Sequence, residues 1–368
     1  MSAKVQAEHG VICRLAGAEF GYFGWPSIAR MPDGTLVVAS SGLRTEHVCP
    51  FGKTVLNYSW DGGKSWSAPR VANDLPLDDR DAGVISLGGK KLLVTWFTSD
   101  TRRYFPNARK WLKPESLARW ETELGHWDDA LVNKWLGSWL RLSRDGGDTW
   151  GAPILVPVST PHGPIRLASG DLLYLGKAGF RAGDQENKSI QACRSKDGGR
   201  TWLELGRVPV ADGTSDSNYH EPHVVELSDG RLIGMIRFQF AGAEDPAKGR
   251  YINFSLFQTE STDGGQTWTQ AHQITYGSPP HLLRHSSGAL VCVYGYRQAP
   301  FGQRAMVSRD DGKTWTTDLV LRDDGPDGDL GYPASVELPG GDILTIYYQK
   351  FAAGEKCSLL WTRWRLPA

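Results

Sequence analysis

The chain has 368 residues, and its 41 basic and 41 acidic side chains cancel to a net charge of zero. Without a long basic run, binding to nucleic acid through phosphate electrostatics is excluded. Hydrophobic residues at 40%, with 43 Gly and 21 Pro, describe a folded chain of short strands and many turns. Cys13, Cys49, Cys193, Cys292 and Cys357 are scattered, with no CxxC pair, which argues against a disulfide framework or a zinc site and for a reducing compartment. The opening MSAKVQAEHGVICRLAG has no apolar core of signal-peptide length and no segment reads as a membrane span. A cytoplasmic protein without a membrane partner is therefore expected.

In chain order, the first predicted element is a strand near His9–Leu15. A hairpin follows from Gly24, GWPSIARMPDGTLVVASS, and then the octapeptide SWDGGKSW (Ser59–Trp66). The same order returns with DAGVISLGGKKLLVTWFT from Asp81 and SRDGGDTW (Ser143–Trp150). It returns again with HGPIRLASGDLLYLGKAG from His162 and SKDGGRTW (Ser195–Trp202), and with HEPHVVELSDGRLIGMIR from His220 and STDGGQTW (Ser261–Trp268). The fifth pair is SPPHLLRHSSGALVCVYG from Ser278 with SRDDGKTW (Ser308–Trp315). A sixth hairpin, GYPASVELPGGDILTIYY from Gly331, leads to a last strand over Ser358–Leu366 with no octapeptide. Each hairpin is a strand, a Gly-containing tight turn and a return strand rich in β-branched and apolar residues.

Each octapeptide is Ser-x-Asp-(Gly/Asp)-Gly-x-(Ser/Thr)-Trp. Its Asp and Gly-Gly make a tight turn in which the carboxylate accepts backbone N–H bonds and Gly supplies positive φ, while the Trp plugs the turn onto the sheet. Six hairpins with five such turns predict an all-β, six-bladed β-propeller forming a single domain over residues 1–368. The N-terminal strand closes the ring and removes the exposed sheet edge. Residues 100–137 break the metre. Leu, Trp and Ala spacing over Glu115–Leu131 predicts a partly helical insertion in blade two, either a packing element or a wall carrying Trp111, Trp120, Trp127 and Trp135.

The hairpin repeat aligns the residues at one mouth of the central channel. Trp25, Asp81, His162, Glu221, Pro279–Pro280 and Tyr332 stand at the first strands. Arg44, Thr98–Ser99, Lys177, Arg237, Tyr296–Arg297 and Tyr348 end the returns. Such a ring of titratable and aromatic groups is costly unless it binds something. His220, Glu221 and His223 look like a metal cluster in one dimension, but neighbours along a strand diverge and Glu221 shares a face with His223, so no metal is expected. His281 and His285 read as turn or strand surface residues.

The octapeptides resemble the Asp-boxes (BNR repeats) of sialidases and related β-propellers, and the resemblance extends to some chemistry. The hairpin from His220 is similar to the sialidase segment that carries the catalytic Glu and a clamp Arg, which implies Glu221 and Arg237. The hairpin from Gly331 is similar to the segment opening with the nucleophilic Tyr, which implies Tyr332. Arg304 falls where a further clamp Arg is found. Two departures stand out. Gly24-Trp25-Pro26 replaces the Arg-Ile-Pro of blade one, and no acid/base Asp follows Arg44, leaving His47, with Glu46 beside it, or Asp81 of the next blade to supply the proton. What the resemblance implies is thus a catalytic set of Tyr332, Glu221, His47 and Asp81, with substrate-binding Arg237, Arg304, Arg44, Arg80, Trp25, His162 and Arg297. The Trp25 indole would offer a sugar an apolar platform, and Arg44 or Arg80 could restore the clamp.

A phenol nucleophile suits a substrate that carries its own carboxylate, and Arg suits binding that carboxylate in a planar fork. The expected function is a sialidase-like exo-glycoside hydrolase removing a terminal acidic sugar, with a carbohydrate partner and no cofactor. The alternatives are a polysaccharide lyase acting on uronate-containing glycans, which would recruit His47, His162, Tyr332 and Arg237, and a non-catalytic glycan-binding propeller.

Overall fold

In a computed structural model describing residues 3–367, six antiparallel sheets form a ring around a central channel. Blade one consists of Tyr22–Arg30, Leu36–Arg44, Lys53–Ser59 and Arg70–Asn73. Blade two consists of Asp78–Gly88, Lys91–Ser99, Ser138–Ser143 and Ile154–Val156. Blade three is shorter, with Ile165–Arg166, Leu172–Lys177, Ile190–Ser195 and Leu203–Arg207. Blade four has Tyr219–Glu226, Leu232–Phe238, Ser255–Ser261 and His272–Tyr276. Blade five has Pro280–Arg284, Leu290–Tyr296, Phe301–Ser308 and Thr316–Gly325. Blade six has Gly331–Glu337, Ile343–Lys350 and Cys357–Trp364. Its outer strand is Ala7–Cys13, antiparallel to Cys357–Trp364 from Ala7↔Trp364 to Cys13↔Leu359.

The closing strand thus begins and ends two residues before the expected His9–Leu15. A further strand was not expected: Ala3–Lys4 runs parallel to Thr316–Gly325 and adds a fifth strand to blade five. The N-terminal segment therefore ties two blades together.

The core lies between blades. Leu36 and Val38 of blade one pack with Leu344 and Ile346 of blade six, with Trp66 of the first box against them. Leu173 and Leu175 of blade three pack with Leu232 and Ile236 of blade four and Trp268 of the fourth box. In the third box, the Ser195 hydroxyl donates to Asp197 at 2.8 Å and accepts from the Gly199 N–H at 2.8 Å, while Asp197 accepts from the Arg200 and Thr201 N–H groups. Because Ser195 is buried, Ser195→Ala orphans the Gly199 N–H. Urea unfolding should show a loss of about 1 kcal/mol, and no loss would mean the turn is held without it. Each box follows a third strand, which starts at the mouth where the second strand ends. The boxes therefore lie on the face opposite Tyr332.

The insertion folds as a short 3-10 turn (Thr101–Tyr104) and three helices, Phe105–Ala108, Pro114–Leu124 and Asp129–Trp135. The helical stretch expected over Glu115–Leu131 is split, because Asp128 caps a new helix by accepting from the Leu131 N–H. Trp120 and Ala108 bury Cys49, while Trp127 and Val132 bury Leu77. The insertion thus packs on the loop after Arg44. Of its four Trp residues, Trp111 alone is well exposed, at 55%. No helix among the described residues is long and apolar enough to cross a membrane.

Candidate active site

Four non-glycine residues at equivalent places in the innermost strands have positive φ: Trp25 at 52°, Asp81 at 52°, Glu221 at 48° and Tyr332 at 51°. At each, the register slips, between Gly24 and Ser27, Arg80 and Gly83, His220 and His223, and Gly331 and Ala334. A β-bulge inserts an extra residue and re-aims a side chain out of the sheet's alternation. Left-handed backbone at a bulky residue costs about 1–3 kcal/mol, and strain of this kind collects at functional sites. Blade three has Gly163 (φ 75°) at the equivalent place, so His162 stands one residue before it. Blade five has Pro279. The bulge also interrupts the simple alternation between His220 and His223.

Two of the bulges bring their side chains together across blade five. The Tyr332 hydroxyl donates to Glu221 Oε1 at 2.5 Å. Arg237 Nη1 donates to Glu221 Oε2 at 2.7 Å and to the Tyr332 oxygen at 3.1 Å, and Arg237 Nη2 reaches Gln239 Oε1 at 2.6 Å. Burial and the adjacent Glu221 carboxylate push the phenol well above its ordinary range. Glu221, although burial works the other way, is held below the usual carboxylate range by Arg237 and the Tyr332 hydroxyl. The resting state is therefore a protonated phenol on an ionised carboxylate, with the acceptor for the phenolic proton already in contact.

Asp81 is buried, and burial together with the Glu221 charge pushes it up to about 7. It is thus a carboxylic acid that keeps its proton close to neutrality. His47 differs. Its Nδ1 lies 2.9 Å from Asp329 Oδ1, and the Tyr22 hydroxyl donates to the same Asp329 oxygen at 3.0 Å. Desolvation, with Arg80 nearby, lowers the imidazole despite Asp329, although the ring edge reaches solvent. It stands edge-on to Trp25 at a centroid distance of 4.9 Å. Lys177 closes another side, donating to the Tyr219 carbonyl at 2.5 Å, and burial brings it down to about 8.

Several expected site residues are placed otherwise. Trp25 is only 1% exposed and offers no platform to a sugar, because its face lies under the Arg80 guanidinium at 4.2 Å, with Tyr22, Tyr332 and Tyr348 around it. Arg44 is fully buried and donates to both oxygens of Asp78, at 2.6 and 3.0 Å, so its fork is occupied. Arg304 sits on the third strand of blade five, and its guanidinium donates to the carbonyls of Gln303, Arg322 and Pro300. Arg297, at the return of the same blade, instead lies 5.7 Å over the Tyr332 ring and donates to the Leu330 carbonyl. His162 is buried in the channel against His223 and His281. His281 and His285 are likewise buried, not surface residues. Among the described residues no group of His, Cys, Asp or Glu is arranged to hold a metal ion.

Asp329 and Tyr22 were missed from sequence, and Tyr348, expected at the mouth, is buried there with its hydroxyl unpartnered. Asp329 sits in PDGDLGYP, where Asp and Gly read as turn chemistry. Tyr22 precedes the first hairpin by two residues, and nothing marks it beyond being an aromatic at a strand start.

Residues 117–345 match the BNR repeat-like domain family. A sialidase from Micromonospora viridifaciens is 24% identical over 364 residues, covering 88% of this chain and 49% of that protein. The chain therefore spans about half the length of the curated relative it matches. Among solved structures, a protein of unknown function from Dyadobacter fermentans superposes with a TM-score of 0.75 at 24% identity over 99% of both chains. The Hadza microbial sialidase Hz136 superposes with a TM-score of 0.66 at 17% identity, over 96% of this chain and 68% of that one. These structures share the fold.

Proposed function

The chain belongs to the BNR repeat-like domain family, and on that premise we propose that it is a sialidase-like exo-glycoside hydrolase that releases a terminal acidic sugar. The observation that carries this reading is the Tyr332–Glu221–Arg237 contact, built from two strained bulges on non-adjacent blades. As the Tyr332 oxygen bonds to the anomeric carbon, Glu221 takes the phenolic proton and Asp81 gives its proton to the leaving oxygen as the glycosidic bond breaks. Asp81 then takes a proton from water. The resulting hydroxide displaces the tyrosine oxygen, which recovers its proton from Glu221. A phenol approaches an anionic sugar without the repulsion a carboxylate nucleophile would meet. His47, held by Asp329, is suited to hydrogen-bond the leaving group at the solvent edge.

Arg80, Arg237 and Arg297 surround this centre, and together they form a carboxylate clamp in which Arg80, resting on Trp25, stands in for the missing blade-one arginine. Arg80→Ala should weaken binding of an acidic glycoside by about ten- to a hundredfold, roughly 1.5–3 kcal/mol, and leave a neutral glycoside unchanged. An equal loss for both sugars would remove Arg80 from the clamp.

The pH dependence has a definite sign. Asp81 must carry a proton for the first step, so kcat/KM should be high below pH 7 and fall as pH rises through about 7. A profile flat from pH 6 to 9 would exclude Asp81 as the acid. The whole reading is tested by a panel of chromogenic sialosides and uronides. Hydrolysis of one of them supports it, an unsaturated ultraviolet-absorbing product makes the protein a lyase, and binding without product makes it a lectin-like propeller.

A further inference from the structure

Glu221 and Tyr332 meet across blade five, which contributes no side chain to their contact, so something must fix the spacing of blades four and six. The innermost strand of a blade presents unpaired N–H groups to the channel, and a buried N–H needs an acceptor. Two histidines supply them in series. His223, two residues after Glu221, accepts the Leu282 N–H of blade five at Nδ1, at 3.0 Å. His281, the residue before Leu282, accepts the Ser335 N–H of blade six at Nδ1, at 3.3 Å. Ser335 lies three residues after Tyr332. The two rings stack at 4.3 Å, and His162 from blade three stands edge-on to both, its own ring nitrogens buried and unpartnered.

We propose that His223 and His281 are positioning residues: neutral imidazoles that strap blade four to five and five to six, and so set the distance between Glu221 and Tyr332. An Nδ1 that accepts leaves the proton on Nε2, whereas an imidazolium has no acceptor and would release the strap.

The neighbours favour the neutral form. The three rings face one another, and beside them lie the Cys292 thiol at the His281 backbone, the Thr160 hydroxyl on the Pro222 carbonyl, and the Ser335 and Thr345 hydroxyls, which bond to each other. The nearby charged groups of blade four, Glu221 on the same strand as His223 and Arg237 on the next, are paired with each other. Burial pushes His223 down to about 3, and burial with the adjoining rings holds His162 and His281 well below the ordinary range.

This inference rests on the function proposed above only in concerning the same pair, and its test needs no turnover. In full-length protein labelled with ¹⁵N-histidine and ¹³Cζ-tyrosine, the Tyr332 resonance is assigned with Tyr332→Phe. Both rings should show the Nε2–H tautomer unchanged from pH 8 to 5. His223→Leu and His281→Leu should each move the Tyr332 resonance. His223→Asn and His281→Asn, whose Oδ1 can take the place of Nδ1, should hold it near its wild-type position. An Nδ1–H tautomer, folded Leu variants with an unmoved Tyr332 resonance, or Asn variants that move it, would each overturn the proposal. Should the Leu variants not fold, the tautomer and the Asn pair decide alone. If a glycoside is turned over, His223→Leu should lower kcat by about 10²-fold with KM little changed. A protein that hydrolyses nothing can still pass the tautomer and resonance test, so the two readings fail separately.

Discussion

Tyr332→Phe is expected to reduce turnover of any glycoside substrate by on the order of 10³-fold or more while leaving the melting temperature nearly unchanged. The change removes one oxygen. That oxygen is the atom proposed to bond to the anomeric carbon, so covalent catalysis is lost, and nucleophile removal is among the largest single effects known in enzymes. Stability is spared for two reasons. The phenyl ring keeps its packing against Trp25 and Tyr348. Glu221 keeps the Arg237 bond at 2.7 Å, so no charge is left alone. Glu221→Gln should have a comparable effect on rate, since an amide cannot take the phenolic proton. Retention of more than a tenth of the wild-type kcat in Tyr332→Phe would move the chemistry to another group, and a large fall in melting temperature would make Tyr332 a packing residue.

The architecture was legible because its period is long and its punctuation strong. Five octapeptides with a buried Ser and a plugging Trp, alternating with hairpins, leave one arrangement that closes. The mouth residues Asp81, Glu221, Arg237 and Tyr332 followed from aligning hairpins, since a repeat places equivalent residues at equivalent depth. What alignment could not give is where an arginine points. Arg44, Arg80, Arg297 and Arg304 are alike in sequence, and what separates them is the bonds each makes: both oxygens of Asp78 for Arg44, the His47 carbonyl for Arg80 with its face close on Trp25, the Tyr332 ring for Arg297, and carbonyls for Arg304. Nor does strand alternation survive a bulge. The backbone at Glu221 and Tyr332 departs from it, whereas His281 sits in a regular ladder and meets His162 and His223 because the ring of blades brings three distant strands together. The helix split at Asp128 and the extra Ala3–Lys4 strand were hidden for a simpler reason. Short elements carry too few residues for a period to show.

The second large effect concerns stability. Asp78→Ala should destabilise the fold by about 3–5 kcal/mol in urea unfolding, because it strips the partner from a buried guanidinium. Arg44 and Asp78 are both without solvent exposure, and their bonds are bidentate. The Arg44 fork also donates to Ser41 and to the carbonyls of Asp79, Glu46 and His47, so it holds the loop on which His47 sits. Those acceptors do not neutralise the charge. Gly52 is fitted to the pair: a Cβ there would come within 2.0 Å of Arg44 Nη1 and 2.2 Å of Asp78 Oδ1, so Gly52→Ala should act in the same direction. Replacing both partners by apolar residues should recover much of the loss, since a buried pair contributes little net stability once its desolvation is counted. The same variants separate the two roles an arginine can have at this mouth. A clamp residue changes KM for an acidic sugar and leaves unfolding alone. Arg44 should do the reverse, with Arg44→Met lowering stability while the folded fraction keeps its affinity. A variant as stable as the wild type, with KM raised selectively for acidic glycosides, would return Arg44 to the clamp.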